Sequence, residues 1–312
     1  MKRHPIPGTD LELSTFCCGL GDLFTVGDTA ESDRLLDAYI EAGGNWFDTA
    51  HMYCHWLPGG NGLSEISIGD YVRRRGLKDV TIATKGGCGS NWRYRKVVDD
   101  LLTPGRLIAD IDDSLARLET DTIALYYMHR DDPRIPVSEI MDTLHAEIER
   151  GRLRYLAASN WRGERLAEAN AYAQSKNLPQ FVMSEMNWSL AAHKVRFGLN
   201  SPGQVAWYRQ TQLPVAPYSP TGQGFFTGTA PASEKTFGTP ENHARRARAT
   251  ELAAKRGITP TQIAIAWLLN HPFPVFPIIG TSHPQRLNEA LGAEEITLTE
   301  QELLWLEHGS QD

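Results

Sequence analysis

Short apolar runs alternate with longer amphipathic stretches along nearly the whole chain. Residues 15–18, 45–48, 80–84, 123–128, 155–159, 181–186, 215–218 and 275–279 are each almost continuously apolar and are followed by polar, Gly or Pro residues. Parallel strands covered on both faces read this way, because neither face has to meet water. The stretches between them carry helical spacing. Residues 30–42 place Leu35, Leu36, Tyr39 and Ile40 on one face and stop at Gly43-Gly44. Ser64 is placed to cap a helix that continues through Ile66, Ile68, Tyr71 and Val72. Thr103-Pro104 sets a cap before a first-turn proline, and Leu107, Ile111, Leu115 and Leu118 recur behind it. Residues 137–150 form a further amphipathic run, closed by Gly151.

Most of the strand starts lie about 30–40 residues apart, the size of one strand-plus-helix unit. Eight such units without a break predict one closed (β/α)8 TIM barrel, α/β in class, with residues 1–312 as a single domain. The widest interval lies between the seventh and eighth strands, where residues 222–240 insert a Gly- and Thr-rich loop. Residues 3–13, around Pro7-Gly8-Thr9-Asp10, read as an N-terminal β-hairpin that plugs the barrel bottom, and residues 299–308 read as a last helix.

Composition narrows the function. The 312 residues carry 31 Lys and Arg against 38 Asp and Glu, a net of −7, with only short basic runs such as Arg73-Arg74-Arg75. A nucleic acid partner would want a concentrated positive footprint, so none is expected. No segment approaches the roughly 20 apolar residues that span a bilayer, and the N-terminus shows no signal-peptide core. The 4 cysteines, Cys17, Cys18, Cys54 and Cys88, have no CxxC spacing and read as buried free thiols in a reducing cytosol. The chain is therefore expected to be cytoplasmic; its oligomeric state stays open. No HxH after the first strand and no HExxH points to a metal centre, which disfavours a metal-dependent barrel hydrolase.

Barrel enzymes carry their sites at the C-terminal ends of the strands. Those positions hold Asp48, Lys85, His129, Ser159-Asn160, Glu185 on the sixth strand, Tyr218-Ser219 and, after the eighth, Arg286. Taken singly, Asp48 fits a turn cap, Tyr53 a loop aromatic and His129 a satisfied buried histidine. Taken together, each at the functional end of its strand, they are hard to explain by packing.

The order of these residues resembles the aldo-keto reductase superfamily. The resemblance rests on Asn45-Trp46-Phe47-Asp48-Thr49-Ala50-His51-Met52-Tyr53, Ala83-Thr84-Lys85, Tyr127-Met128-His129, Gly151-Arg152-Leu153-Arg154 leading to Ser159-Asn160, and Tyr218-Ser219-Pro220 leading to Gly224. It implies an NADPH-dependent oxidoreductase acting on an aldehyde, ketone or sugar, with Asp48, Tyr53, Lys85 and His129 catalytic. Ser159 and Asn160 would hold the nicotinamide carboxamide and Tyr218 would stack on its ring. Ser219, Thr221, Gly222 and Gly224 would cover the pyrophosphate, with Gly21 and Asp22 opposite. Gly280, Ser282 and Arg286 fall in the segment that would grip the adenosine 2′-phosphate, with Glu289 facing the adenine. A guanidinium suits phosphate, which NAD lacks at that position, so NAD is the lesser expectation. There is no GxGxxG after a strand, which argues against a Rossmann site. Three positions depart from the family: Glu185 stands where Gln is frequent, Gly280 where Lys is frequent and Ala290 where Asn is common. An acid at 185 still accepts from the carboxamide but is expected not to donate to it.

The chemistry can be argued independently. Carbonyl reduction needs a hydride from a nicotinamide and a proton for the developing alkoxide. A free tyrosine has a pKa of about 10. A Lys ammonium about 4 Å away favours tyrosinate by about 4 kcal/mol at an effective dielectric of roughly 20. Lys85 is therefore expected to pull Tyr53 down by roughly three units, with Asp48 returning part of the shift, while His129 orients the substrate oxygen. Trp56, Trp92 and Trp161, with Trp188, follow strand ends and suit stacking on sugar rings or planar substrates. They read equally well as residues that shape the loops. A competing reading is a regulatory or sensor barrel that holds NADP(H) with little turnover.

Overall fold

The apolar runs form strands buried on both faces, and the amphipathic runs form helices that lie against them. The computed structural model describes residues 1–21, 23–24, 29–88, 102–194, 198–201, 203–228 and 230–309. A hairpin of β1 (Arg3–Pro5) and β2 (Glu12–Ser14) precedes the barrel, with Arg3 opposite Ser14. The barrel strands are β3 (Cys17–Gly19), β4 (Trp46–Asp48), β5 (Thr81–Gly86), β6 (Ile123–Met128), β7 (Leu153–Ser159), β8 (Phe181–Asn187), β9 (Val215–Tyr218) and β10 (Ile278–Ile279). They pair in parallel in the order β10-β3-β4-β5-β6-β7-β8-β9, which is chain order apart from β10. The ring closes where Val215 bridges Val275 and Phe276 N donates to Val215 O at 2.8 Å. The expected strand over 275–279 shortens to its last two regular residues. Pro277 has no N–H to give the ladder, although its carbonyl still accepts from Cys17 N at 3.0 Å.

Eleven α-helices are present among the described residues. Those that position the site are α1 (Ala30–Glu41), α2 (Leu63–Arg75), α3 (Pro104–Leu118), α4 (Val137–Glu149) and α5 (Gly163–Ser175). Then come α6 (Gln204–Thr211), α7 (Pro231–Phe237), α8 (Pro240–Arg256), α9 (Pro260–Leu269), α10 (Pro284–Leu291) and α11 (Glu300–His308). Thr103 takes the N-cap of α3 with Pro104 behind it, and Thr299 caps α11 with a capping box to Glu302. Ser64 does not cap α2. Gly62 does, at φ 71, and the Ser64 hydroxyl turns inward to Thr49 Oγ1 at 2.7 Å.

The barrel interior is filled in layers. Ile6, Leu11 and Leu13 of the hairpin segment pack with Trp46, Leu125 and Phe276, so the hairpin does plug the bottom. Side chains alternate along a strand, so the residue two positions on from each interior residue also points inward, one layer higher. That step leads from Trp46 to Asp48, from Ala83 to Lys85, from Ala157 to Ser159, from Met183 to Glu185 and from Ala216 to Tyr218. The lower layers are apolar and the layer at the strand ends is polar.

Candidate active site

Lys85 occupies the centre of that upper layer and is fully buried. Its ammonium donates to Asp48 Oδ1 and Oδ2 at 2.5 and 2.6 Å, to the Thr49 carbonyl at 3.0 Å and to the Tyr53 hydroxyl at 3.2 Å. Glu185 Oε2 lies 3.3 Å away, too poorly aligned to form a hydrogen bond. The His129 ring faces Tyr53 edge-on at 5.8 Å, held by His129 N donating to Gly86 O at 2.8 Å. The four expected catalytic residues thus meet at one point.

Burial dominates the protonation of this cluster. It pushes His129 well below its usual range, aided by the Lys85 and Arg130 cations, so the imidazole is neutral near pH 7. Burial pushes the Glu185 carboxyl up to about 8, with Asp48 adding to the shift and Lys85 opposing it. Glu185 therefore carries a proton near neutrality, and a protonated carboxyl can donate after all. Burial also outweighs Lys85 at Tyr53, where Asp48 and Glu185 push in the same upward direction. The net shift of Tyr53 is upward, the reverse of the sequence expectation, which counted one cation and no desolvation. Lys85 itself is held charged against the cost of burial, above all by Asp48.

A cleft of about 260 Å³ opens beside Tyr53 and Asp48 and runs past Gly19, Gly21, Tyr218 and Ser219 to Gly280, Thr281 and Ser282. Gly21 sits over the Tyr53 ring, where a Cβ would lie 3.7 Å from Cε2. The Tyr218 hydroxyl donates to Asn160 Oδ1 at 2.8 Å, and Asn160 Nδ2 donates to Ser159 Oγ at 2.8 Å and His129 O at 3.2 Å. The loop after β9 is built from left-handed residues, including Ser219 at φ 57, Gly222 at φ 60 and Gly224 at φ 81, and Thr221 Oγ1 accepts from Gly224 N at 3.4 Å. Arg286 is exposed on the first turn of α10 and has no carboxylate partner among the described residues. Glu289 Oε1 accepts from Thr259 Oγ1 at 2.6 Å, which ties α10 to the cap of α9. Asp22 and Trp92 lie outside the described residues.

The tryptophans divide. Trp56 stands beside Tyr53 with ring centroids 6.5 Å apart. Trp161 is fully buried, edge-on to Phe181 at 5.4 Å, and Trp188 stacks on Phe273 and meets Trp267. Neither offers a face to a substrate, which corrects the expectation for Trp161: its ring fills the layer between barrel and helices. Sequence reasoning also passed over Gly19, Leu23, Ile278 and Thr281, which line the cleft. All four stand within two residues of expected ligands, Gly19 and Leu23 of Gly21, Ile278 and Thr281 of Gly280, and that proximity was the available signal.

An eight-stranded barrel with a buried lysine, carboxylates, a tyrosine and an imidazole gathered at the strand ends beside an open cleft has the layout of a barrel enzyme's active site. The chain belongs to the aldo/keto reductase family, whose sequence profile matches residues 17–307. It is 29% identical over 300 residues to an aldo-keto reductase of Emericella nidulans, covering 90% of this chain and 72% of that protein. It is 28% identical over 315 residues to an uncharacterised oxidoreductase of Bacillus subtilis, covering 96% and 92%. A solved thermostable aldo-keto reductase in complex with the inhibitor epalrestat shares the fold, with a TM-score of 0.75 and 24% identity over 98% of this chain and 99% of that one. Membership makes the protein an oxidoreductase of carbonyl and alcohol groups in a family that uses a nicotinamide cofactor. Among the described residues no helix is long and apolar enough to cross a membrane.

Proposed function

We propose that the protein is an NADPH-dependent reductase of small carbonyl compounds in which Tyr53 transfers the proton. The observation that carries this reading is the Tyr53 hydroxyl lying 3.2 Å from the Lys85 ammonium at one end of the cleft. The cleft suits a nicotinamide dinucleotide: it offers an aromatic face at Tyr218, polar side chains at Ser219, Thr281 and Ser282, and glycines that admit close approach. Ser159, Asn160 and neutral Glu185 would hold the carboxamide, Tyr218 the ring, and the loop from Ser219 through Gly224 the pyrophosphate. The reduced cofactor, when bound, supplies the hydride. Tyr53 gives its proton to the oxygen of the carbonyl under reduction. The tyrosinate left behind is stabilised by Lys85, which Asp48 holds in place, and neutral His129 donates a hydrogen bond that orients that oxygen. A high tyrosine pKa is compatible with this role, since the residue enters as the neutral acid.

Preference for NADPH is supported by Arg286, whose guanidinium meets no carboxylate among the described residues. Trp56 beside Tyr53 supports a substrate with a flat or ring-shaped body, an aromatic or sugar-like carbonyl. A panel of carbonyls followed by nicotinamide absorbance tests the reading: turnover with NADPH exceeding that with NADH is expected, and no turnover with any carbonyl would contradict it.

A further inference from the structure

The upper layer of the barrel encloses one ammonium and two carboxyl groups. Lys85, Asp48 and Glu185 are all buried, and the charges that act most strongly on Glu185 are those of Asp48 and Lys85. Were both carboxyls ionised, one negative charge would lie in the barrel without a partner, an arrangement that burial penalises heavily. One of the two must therefore hold a proton. Geometry decides which. Asp48 receives Lys85 Nζ on both oxygens at 2.5 and 2.6 Å, whereas Glu185 Oε2 stands off at 3.3 Å with no aligned hydrogen bond.

We propose that Glu185 is a positioning residue that governs proton transfer at Tyr53 by way of Lys85. As the neutral acid it leaves the ammonium to Asp48 and Tyr53; as the carboxylate it draws on the same ammonium and holds the Tyr53 proton in place. The inference rests on the reading of Tyr53 as proton donor and adds to it a built-in dependence on pH.

Glu185 shares its ionisation with Asp48, and the other groups that face it stay out of the same range. From β7 its register neighbour is Ser159 and from β9 it is Ala216, neither of which titrates in the working range. From β4 and β5 come Asp48 and Lys85, from β6 comes Tyr127, from β3 Cys17, and from the loop after β4 Tyr53. Burial pushes Cys17 and Tyr127 well up, so both stay neutral while Glu185 titrates. Glu185 raises Tyr53 in its turn, which is the direction the proposal needs: a second carboxylate makes the tyrosine a weaker acid. With Glu185 titrating near 8, the change falls where an enzyme can be assayed.

Glutamine has the shape of the neutral acid and cannot ionise, so Glu185→Gln separates charge from packing. Two measurements test the proposal. In ligand-free protein at about pH 6, difference infrared spectroscopy between wild type and Glu185→Gln should show the C=O band of a neutral carboxyl in wild type alone, fading by about pH 9.5. In carbonyl reduction, wild-type kcat/KM should fall about tenfold per pH unit above the Glu185 ionisation, and that limb should be missing from Glu185→Gln. Absence of the wild-type band overturns the proposal, and so does an alkaline limb equal in both proteins. If wild type turns over no carbonyl, the Tyr53 reading fails, whereas the infrared band still reports the Glu185 proton. A missing band or an equal alkaline limb in a protein that does turn over overturns the Glu185 role alone, so the two failures are distinguishable.

Discussion

Arg117 Nη1 donates to Glu65 Oε2 at 3.0 Å and, from the same nitrogen, to the backbone oxygen of His51 at 3.0 Å. Glu65 lies on α2 with 0% exposure, and Thr84 of β5 donates to its other oxygen at 2.6 Å. The ion pair thus fastens α2 and α3 to the loop that carries Tyr53. His51 N completes the tie by donating to Lys85 O at 2.9 Å. Removing Arg117 would leave a buried carboxylate without its cation. We expect Arg117→Met to cost about 3–5 kcal/mol of unfolding free energy in denaturant titration. Turnover should fall with it as Tyr53 loses its setting. A variant as stable and as active as wild type would show that the pair does not hold the loop.

Glu185 also marks the stability of the fold against pH. Its folded pKa of about 8 lies above the ordinary 4.5, so the native protein keeps a proton that the unfolded chain has released. The stabilisation is complete below the ordinary value and is lost as pH rises through about 8. The thermal midpoint of wild type should therefore decline between about pH 5 and pH 9, and that of Glu185→Gln should decline less. Identical slopes would contradict the assignment.

Trp161 and Trp56 should part company on mutation. Trp161 packs in the core, so Trp161→Ala should cost about 3–5 kcal/mol of stability and leave the ranking of substrates as it was. Trp56 is half-buried beside Tyr53, so Trp56→Ala should leave stability nearly unchanged and raise KM for ring-bearing carbonyls. Substrate rankings of the two variants, measured beside their melting curves, separate the roles.

Arg286 is expected to read the cofactor phosphate. Hydrogen bonds between charged groups are worth about 1.5–3 kcal/mol, so Arg286→Ala should weaken NADPH binding roughly 10–100-fold while NADH changes little. Fluorescence titration with each cofactor gives the ratio. Equal losses would show that Arg286 does not meet the phosphate.

Much of the fold was legible because each barrel strand is a continuous apolar run closed by a turn signal, and the site residues stand at strand ends. β10 was shorter than its apolar run because Pro277 breaks the ladder, a backbone effect that hydrophobicity does not register. Ser64 looked like a cap, but a left-handed Gly62 starts the helix and frees the hydroxyl for Thr49. Trp161 follows Asn160, whose φ of 63 redirects the chain, and no apolar pattern reveals that turn. Protonation was the least legible property. Placing Lys85 and Tyr53 at neighbouring strand ends brings the two together, but the direction of the Tyr53 shift depends on burial and on Glu185, which approaches Lys85 only in the closed barrel.

The central claim is that Tyr53, held beside Lys85, delivers the proton, and single-turnover reduction by Tyr53→Phe tests it most directly. The variant keeps the ring and the cleft, so NADPH should bind as in wild type. Positioned acid catalysis contributes about 10²–10⁴-fold, so the rate of nicotinamide oxidation should fall by roughly that factor. A Tyr53→Phe protein that reduces its carbonyl at the wild-type rate would contradict the account.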